Sequence, residues 1–600
     1  MNNMFLKWSF VMANYLIGTI NNDVLVGSVS DENVILGGRG DDVILGGLLD
    51  DVISGGAGND IIYGDQPGPG IDPYQPLGYT TVFPLGYPPF IGLTLSLPPS
   101  TSYTGDDVLS GGAGDDIIYG DRGDGIAIFL FATTMTVTNQ TVISDLTVSY
   151  QTTIFGNDTL MGDAGNDVLV GDAGKNIKAF FDNYGNVLSD ALQGPGTIDQ
   201  AASTGLIAAG QRTIADGLNS HAVSAAHINE NVLQFGNDIM SGGTGNDTMT
   251  GDYLFTSRFD MNGGGVAIAS NAAAAESIIT HYDNYSIAGH DIMTGGVGDD
   301  VIYGDSQAID NAAQGGFAQA VAGGHASTFF TTVESNLIMG DDILSGGSGK
   351  DIIYGDLKLY YNTVYGGVAI ADGADSEASS ALILDETIIK MGNDTISGGE
   401  GNDYLVGDAD IIGMEVIQGM AIATNGATAT SVVEAKNFLF QMGDDTVLGG
   451  SGNDVIIGDV DHFELLDQQL SAHVANDHLV VSDHANNQII WGNDKLYGGG
   501  KQDTFKFTLF TDLNGENGTQ GFDKIYNFNL CHDTLVINDL KDHNNDNLVN
   551  MADLLSTTTL QHQDHNTILN FAAGGSITLV DRDVHSLNDL HMVFGVSTGI

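Results

Sequence analysis

A motif that returns at nearly fixed spacing constrains this chain more than any other feature. Glycines opening G-[Asn/Asp/His]-Asp-x-[apolar]-x stand at Gly105, Gly156, Gly236, Gly289, Gly340, Gly392, Gly443 and Gly492, at intervals of 51, 80, 53, 51, 52, 51 and 49 residues. A sequence with this periodicity builds by stacking equivalent units, each unable to bury its apolar face alone. One module opens Gly392-Asn393-Asp394-Thr395-Ile396-Ser397, continues as Gly398-Gly399-Glu400-Gly401-Asn402-Asp403-Tyr404-Leu405-Val406, and closes on Gly407-Asp408. The nine-residue unit G-G-x-G-x-D-x-U-x, with U apolar, recurs at Gly55–Tyr63 and Gly111–Tyr119 and from Gly242, Gly295, Gly346 and Gly449. Looser copies start at Gly162 and Gly498, and a first block from Gly18 to Asp65 runs several units together without insertions.

The residue types suggest a ligand. Glycine reaches φ > 0, so G-G-x-G turns tightly and aims carbonyl oxygens at one point. Aspartate at the sixth position adds a hard carboxylate oxygen, and Ca²⁺ takes 6–8 such oxygens at about 2.3–2.6 Å. The x-U-x triplet reads as a short strand with its apolar residue inward. With two units to a coil, equivalent aspartates stack about 4.8 Å apart, and such rows repel without a cation between them. An ordinary parallel solenoid, with Asn and Asp bonding only the backbone, is the competing reading.

The candidate ligands are the sixth-position acids Asp60, Asp116, Asp167, Asp247, Asp300, Asp351, Asp403, Asp454 and Asp503, with Asp42 and Asp51 in the same place in the first block. Beside them stand the first-unit acids Asp107, Asp158, Asp238, Asp291, Asp342, Asp394, Asp445 and Asp494. The closing dipeptides add Asp65, Asp121, Asp172, Asp252, Asp305, Asp356, Asp408 and Asp459, as ligands or as turn residues. Calcium on the order of ten ions would offset about a third of the net charge.

That charge is large. Lys plus Arg number 17 and Asp plus Glu 77, giving 17 − 77 = −60. Hydrophobic residues are 42% of the chain, too many for an acidic disordered tail, so the chain is expected to fold. So acidic a body has no surface for nucleic acid or anionic lipid. Cys531 is the one cysteine, so no intramolecular disulfide forms. No apolar run is long enough for a membrane span. The faintly apolar start, Met4 to Ala13, reads as a cap strand rather than a cleaved signal peptide, because no A-x-A pattern follows it.

Between the repeat units lie insertions of about 32 residues that resemble one another. Gly265-Val266-Ala267-Ile268-Ala269, Gly316-Phe317-Ala318-Gln319-Ala320, Gly367-Val368-Ala369-Ile370-Ala371 and Gly419-Met420-Ala421-Ile422-Ala423 are 51, 51 and 52 residues apart. Each insertion reads as an outgoing and a returning strand. Stacked at module spacing, these arms would form facing sheets with the alanines as a seam. The first insertion, Gln66 to Ser100, is Pro-rich, lacks the motif and reads as a loop; the enlarged copy, 173–233, carries roughly 30 extra residues.

The expected fold is all-β, a parallel β-roll or solenoid of nonapeptide coils with stacked β-arms and a C-terminal β cap. The expected division is a cap strand at 1–17, a first block at 18–65, a Pro-rich insertion at 66–104, about eight modules at 105–505 and a cap at 506–600. Within the cap, Asp542, Asn544, Asp546, Asn550 and Asp553, with the Leu548 carbonyl, resemble an EF-hand loop. Asn547 stands where Gly is usual and Asp553 where Glu is usual, so a polar turn before a short helix competes. His473, His478 and His484 lie in a polar insertion without zinc-ligand spacing.

On these units the chain resembles the RTX, or hemolysin-type, calcium-binding repeat proteins over most of residues 18–600. The resemblance implies a parallel β-roll and passage unfolded through a type I secretion channel of a Gram-negative bacterium. Folding then follows on meeting extracellular calcium. Leu548–Leu555 and Gly574–Leu579 are similar to that family's C-terminal segment, which places an uncleaved export signal in about the last 50–60 residues. Family members often carry an enzyme or pore-forming domain ahead of the repeats; here the repeats begin near residue 18. H-E-x-x-H and G-x-x-x-x-G-K-[Ser/Thr] are absent, and the one G-x-S-x-G, Gly595–Gly599, lacks a following helix. The expected function is therefore non-enzymatic. It is a secreted calcium-folded protein with a structural, adhesive or surface role, partnered by host surface, glycan or its own copies. The alternative is an extracellular enzyme or toxin, polysaccharide-modifying or similar, with its site in the arms.

Overall fold

The computed structural model describes residues 14–595 except 29, 66–92, 98–99, 122–126, 131–133, 139–140, 150, 173–204, 209–211, 217–219, 230–231, 253–259, 262–265, 283–284, 315, 334–335, 366, 418–419, 469–477, 484–487, 512–516, 519–520 and 544–547. The Pro-rich part of the first insertion, the added residues of the enlarged copy, His473 and His484 lie outside the described residues, as does most of the expected N-terminal cap.

Every module is one turn of a parallel solenoid. The coil opening at Thr395 runs through strands Thr395–Glu400, Tyr404–Val406, Ala409–Ile417, Met420–Thr424, Thr428–Lys436 and Leu439–Gln441, then starts again at Thr446. Equivalent strands of successive coils pair in parallel: Thr395 lies opposite Thr446, Tyr404 opposite Val455 and Ala409 opposite Val460. Among the described residues this yields two core sheets of 15 and 13 strands and arm sheets of 8, 8, 6 and 5 strands.

The core sheets are narrow because the repeat has room for only one inward residue per short strand. Ile35, Ile44, Ile53, Ile62, Leu109 and Ile118 are 0–2% exposed and form one apolar column with their successors. The turn between the two sheets depends on glycine: Gly347 sits at φ +102°, and a Cβ there would lie 2.2 Å from the Gly296 carbonyl oxygen of the coil below. No side chain fits where stacked backbones approach so closely.

Coil length does not disturb core register. Val34 pairs with Val52, Val52 with Val108, Val108 with Thr159 and Thr159 with Ile239. The additional residues all leave and re-enter at one corner of the coil, after the Gly-Asp dipeptide.

The arms stack as expected, but each complete one has four strands rather than an outgoing and returning pair. The outgoing limb holds the two strands Ala409–Ile417 and Met420–Thr424 and the returning limb Thr428–Lys436 and Leu439–Gln441, with Asn437 at φ +57° between the last two. At the tip, Asn425 and Gly426 take φ +56° and +82°, consecutive left-handed residues that reverse the chain tightly. Ala369, Ala371, Ala421 and Ala423 on one limb and Ala378 and Ala429 on the other are 0–3% exposed and form the alanine seam. Small side chains let the facing sheets approach closely, and Ser380 and Ser431 hydroxyls donate across the seam to the Gly316 and Gly367 carbonyls at 2.8 Å. Nearer the core, Phe330, Tyr360, Leu382, Ile412, Val433 and Phe440 make a separate apolar core for the arm.

The first insertion is not a loop throughout. Leu93–Leu97 and Ser100–Tyr103 are strands that pair in parallel with the next arm. Alternation alone supplies the reason: Leu93-Thr94-Leu95-Ser96-Leu97 has the period of a strand without the alanine motif.

At the other end the core sheets pass into the cap through Phe522–Tyr526 and Thr534–Asn538 and on to Ser576–Leu579 and Met592–Gly595. Antiparallel strands Asn566–Phe571 and Thr558–Gln563 then finish the larger sheet, so it does not end on a parallel coil face. Between them, Asn550 caps helix Met551–Thr557: its side chain accepts from Ala552 N at 2.8 Å, and Asp553 reaches back to Asn550 N at 3.0 Å. That reciprocal pair is a capping box. Asp553 also accepts from His543 N at 3.0 Å, so both its oxygens serve the turn before the helix. Asn544 and Asp546, two of the other EF-hand candidates, lie outside the described residues.

Candidate metal sites

All nineteen candidate aspartates fall into two rows running along the solenoid. Asp42, Asp60, Asp116, Asp167, Asp247, Asp300, Asp351, Asp403, Asp454 and Asp503 occupy the turn between the two core sheets. One carboxylate oxygen of each accepts from the backbone N–H of its equivalent in the preceding coil: Asp60 from Asp42 at 2.7 Å, Asp351 from Asp300 at 2.9 Å, Asp454 from Asp403 at 3.0 Å. Asp51, Asp107, Asp158, Asp238, Asp291, Asp342, Asp394, Asp445 and Asp494 do the same at the opposite corner, where the arms depart; Asp107 N donates to Asp158 at 2.7 Å and Asp394 N to Asp445 at 2.7 Å. Asp42 and Asp51 share a place in the nine-residue unit, yet two units complete a coil, so they stand in opposite rows.

The second oxygen carries the chemical information. In eighteen of the nineteen, Asp503 being the exception, it is buried without a hydrogen-bond partner. A carboxylate oxygen removed from water and left unpartnered is costly unless a cation or proton meets it. Burial pushes the inter-sheet acids from Asp60 onward up, Asp116, Asp300 and Asp454 to about 6 and Asp167 and Asp351 to about 7. On the arm side, burial and then neighbouring carboxylates hold Asp107, Asp158 and Asp342 well above the carboxylate range. Metal-free, the folded turns favour protonated acids; the all-oxygen donor set is what a hard divalent cation takes.

The closing-dipeptide acids are buried turn residues. Asp121, Asp172, Asp356, Asp408 and Asp459 each accept, across the neck of an arm, from the glycine N–H that reopens the coil, at 3.0, 2.9, 2.9, 2.8 and 2.7 Å. Asp65 does so from Gly105; Asp252 and Asp305 accept from Gly289 and Gly340 at 3.2 Å. The glycine before each acid is equally constrained, since a Cβ on Gly355 would lie 1.7 Å from the Gly407 carbonyl oxygen and 2.1 Å from Asp394 Oδ2. Backbone carbonyl and carboxylate thus converge on a space that only glycine leaves open.

Repeat reading missed the row ends. Asp23 and Asn33 donate to Asp42 and Asp51 at 2.7 and 2.6 Å, and Asp523 and Asp533 accept from Asp494 and Asp503 at 3.0 and 3.1 Å. Gly521-Phe522-Asp523-Lys524-Ile525 still carries the G-x-D-x-[apolar] pattern and was the available signal.

The RTX calcium-binding nonapeptide repeat model matches residues 17–48, 36–66, 102–127, 154–177, 234–252, 286–308, 340–357, 392–411 and 442–462. The chain is an RTX calcium-binding repeat protein. The matches fall on the turns just described and reach only a few residues into the arms. This RTX protein is also similar to an S-layer protein of Synechocystis sp. (strain ATCC 27184 / PCC 6803 / Kazusa), 30% identical over 151 residues. That stretch is 22% of this chain and 9% of the relative, so the chain spans a small fraction of that protein's length. Among the described residues, no helix is long and apolar enough to cross a membrane.

Proposed function

We propose that this RTX protein is a secreted, calcium-folded structural component of a bacterial cell surface, with no catalytic role. Two rows of buried, unpartnered carboxylate oxygens carry the reading, because at neutral pH closing the coil around them is costly until a divalent cation enters. Calcium binds the folded state and not the open chain, so the chain leaves the cell unfolded through a type I channel, directed by its last 50–60 residues. It closes when it meets external calcium on the order of 10⁻⁴–10⁻³ M. The nineteen ladder aspartates hold those ions. The likeness to an S-layer protein favours a place in a surface layer assembled from copies of the chain over adhesion to a host glycan.

A calcium titration of EDTA-stripped full-length protein, followed by far-UV circular dichroism, tests the fold switch. A cooperative gain of β signal near millimolar calcium, absent with magnesium, is expected; a fully folded spectrum in EDTA overturns it. Electron microscopy of the calcium-loaded protein tests the layer, for which ordered two-dimensional arrays are expected. Dispersed particles that bind glycans would instead favour adhesion.

A further inference from the structure

The two rows are not chemically equal. In the unarmed first block, the arm-side turn reads Gly46-Gly47-Leu48-Leu49-Asp50-Asp51. Gly46 N donates to Tyr63 O, as Gly64 N does to Tyr119 O, which aligns Gly46 with Gly64 and Gly47 with Asp65. The arm is therefore inserted inside this turn, between its glycine pair and its aspartate. Wherever an arm is present, the second glycine has become aspartate: Asp65, Asp121, Asp172, Asp252, Asp305, Asp356, Asp408 and Asp459.

Asp252 and Asp305 take the neck hydrogen bond with both oxygens, the other six acids with one. In Asp65, Asp121, Asp172, Asp356, Asp408 and Asp459 the other oxygen is buried and has no partner. Neck and ladder acids come together: ligand atoms of Asp121, Asp158 and Asp172 fall within 4.8 Å of one another, as do those of Asp252, Asp291 and Asp305, and of Asp459, Asp494 and Asp523. Each such group takes its acids from two adjacent coils. Per coil, the arm-side row carries two carboxylates and the inter-sheet row one.

We infer that the neck aspartates create a second class of calcium site, in which one divalent cation per armed coil is neutralised by two buried carboxylates and fastens the arm's neck to the next coil. The inference rests on the calcium reading above. With one ion per coil, the arm-side row is neutral, whereas the inter-sheet row gains one positive charge per coil. Ligand charge count sets affinity in calcium sites, so the arm-side row fills at lower calcium. Where no arm interrupts the turn, the aligned residue is Ser28 or Gly47, neither of them acidic, and the inserted acid compensates for a turn that is covalently split.

Isothermal titration of EDTA-stripped full-length protein with calcium is the test, with circular dichroism at saturating calcium as a check on folding. The wild-type chain is expected to show two classes, the tighter with about eight sites. Neck variant D305N/D356N/D408N should move about three sites out of the tight class, weakening them at least about tenfold. Inter-sheet variant D300N/D351N/D403N should deplete only the weak class. A single class in the wild type, or a neck variant whose isotherm matches wild type within about twofold, overturns the inference. If the neck triple variant does not fold, Asp356→Gly, which restores the residue found at Gly47, takes its place, and loss of about one tight site is expected. No calcium heat from any of these proteins would defeat the calcium reading itself, a result distinguishable from equal rows.

Discussion

The unarmed coils at the start of the solenoid and the armed coils that follow share one core but differ nearly threefold in length. Val34 to Val52 spans 18 residues, while Ile343 to Thr395 spans 52, and both pairs lie in the same parallel sheet in the same register. The unarmed coil has one apolar column and two turns for its stability. The armed coil adds its own apolar core and alanine seam, joined to the first through one neck. Register thus belongs to the glycine turns and the aspartate ladder, and the arms are a second solenoid carried on the first.

Calcium removal should break the comparison most completely. In EDTA at neutral pH both coil types are expected to lose their β signal, because both keep the buried acid rows. Arms that retain hydrogen-exchange protection while the core opens would show the second solenoid to be independent of the first. Next in size is Gly355→Ala, which places a methyl group against backbone that cannot move aside. A loss above about 4 kcal/mol, or failure to fold, is expected by calcium-dependent thermal unfolding. Gly426→Ala at the arm tip, φ +82° with open space around it, should cost only about 1 kcal/mol.

Acid pH should act on the metal-free protein in the opposite sense to ordinary acid denaturation. The folded-state values of Asp116, Asp300 and Asp351 lie at about 6 to 7, above the unfolded carboxylate range. Between about pH 4 and 7 the folded state then binds more protons than the unfolded, so stability is present at low pH and lost as pH rises. Circular dichroism in EDTA should show more β structure at pH 4.5 than at pH 7.5, and calcium affinity should rise over the same interval.

Phe440→Ala sharpens the distinction between the cores. Phe440 is buried in the arm core, so a loss of about 3–5 kcal/mol is expected in arm protection by hydrogen exchange. Calcium stoichiometry should not change. Ser431→Ala, which leaves the Gly367 carbonyl without its cross-seam donor, should cost about 1 kcal/mol, read in the same arm amides.

Much of this was legible in the residues. Eight glycines at near-constant spacing state a stacked solenoid, and nine-residue units of glycine, aspartate and one apolar residue state narrow parallel sheets with acids in the turns. The alanine motif at Val368–Ala371 and its relatives gave the seam, because small residues at the same phase in every copy must meet the same neighbour. Less legible were the four-strand arm, whose returning limb breaks at Glu386 and Asn437 without a glycine, and the strand at Leu93–Leu97, hidden beside a Pro-rich stretch. Asp553 matches a calcium loop by spacing and also stands where a capping box places its acid, and the structure puts its two oxygens on the N–H groups of His543 and Asn550.

Residue type at fixed spacing dictates the repeat, the oxygen-only donor set and the core's inward residues. Which acids share a row, that the arms split one turn and spare the other, and that the aspartate after each neck glycine stands where the unarmed coils have Ser28 and Gly47 follow only from the stacked fold. Those facts depend on which residues lie above one another in neighbouring coils. That vertical neighbourhood is set by parallel pairing across 18 to 80 residues, a separation at which local sequence carries no distance information.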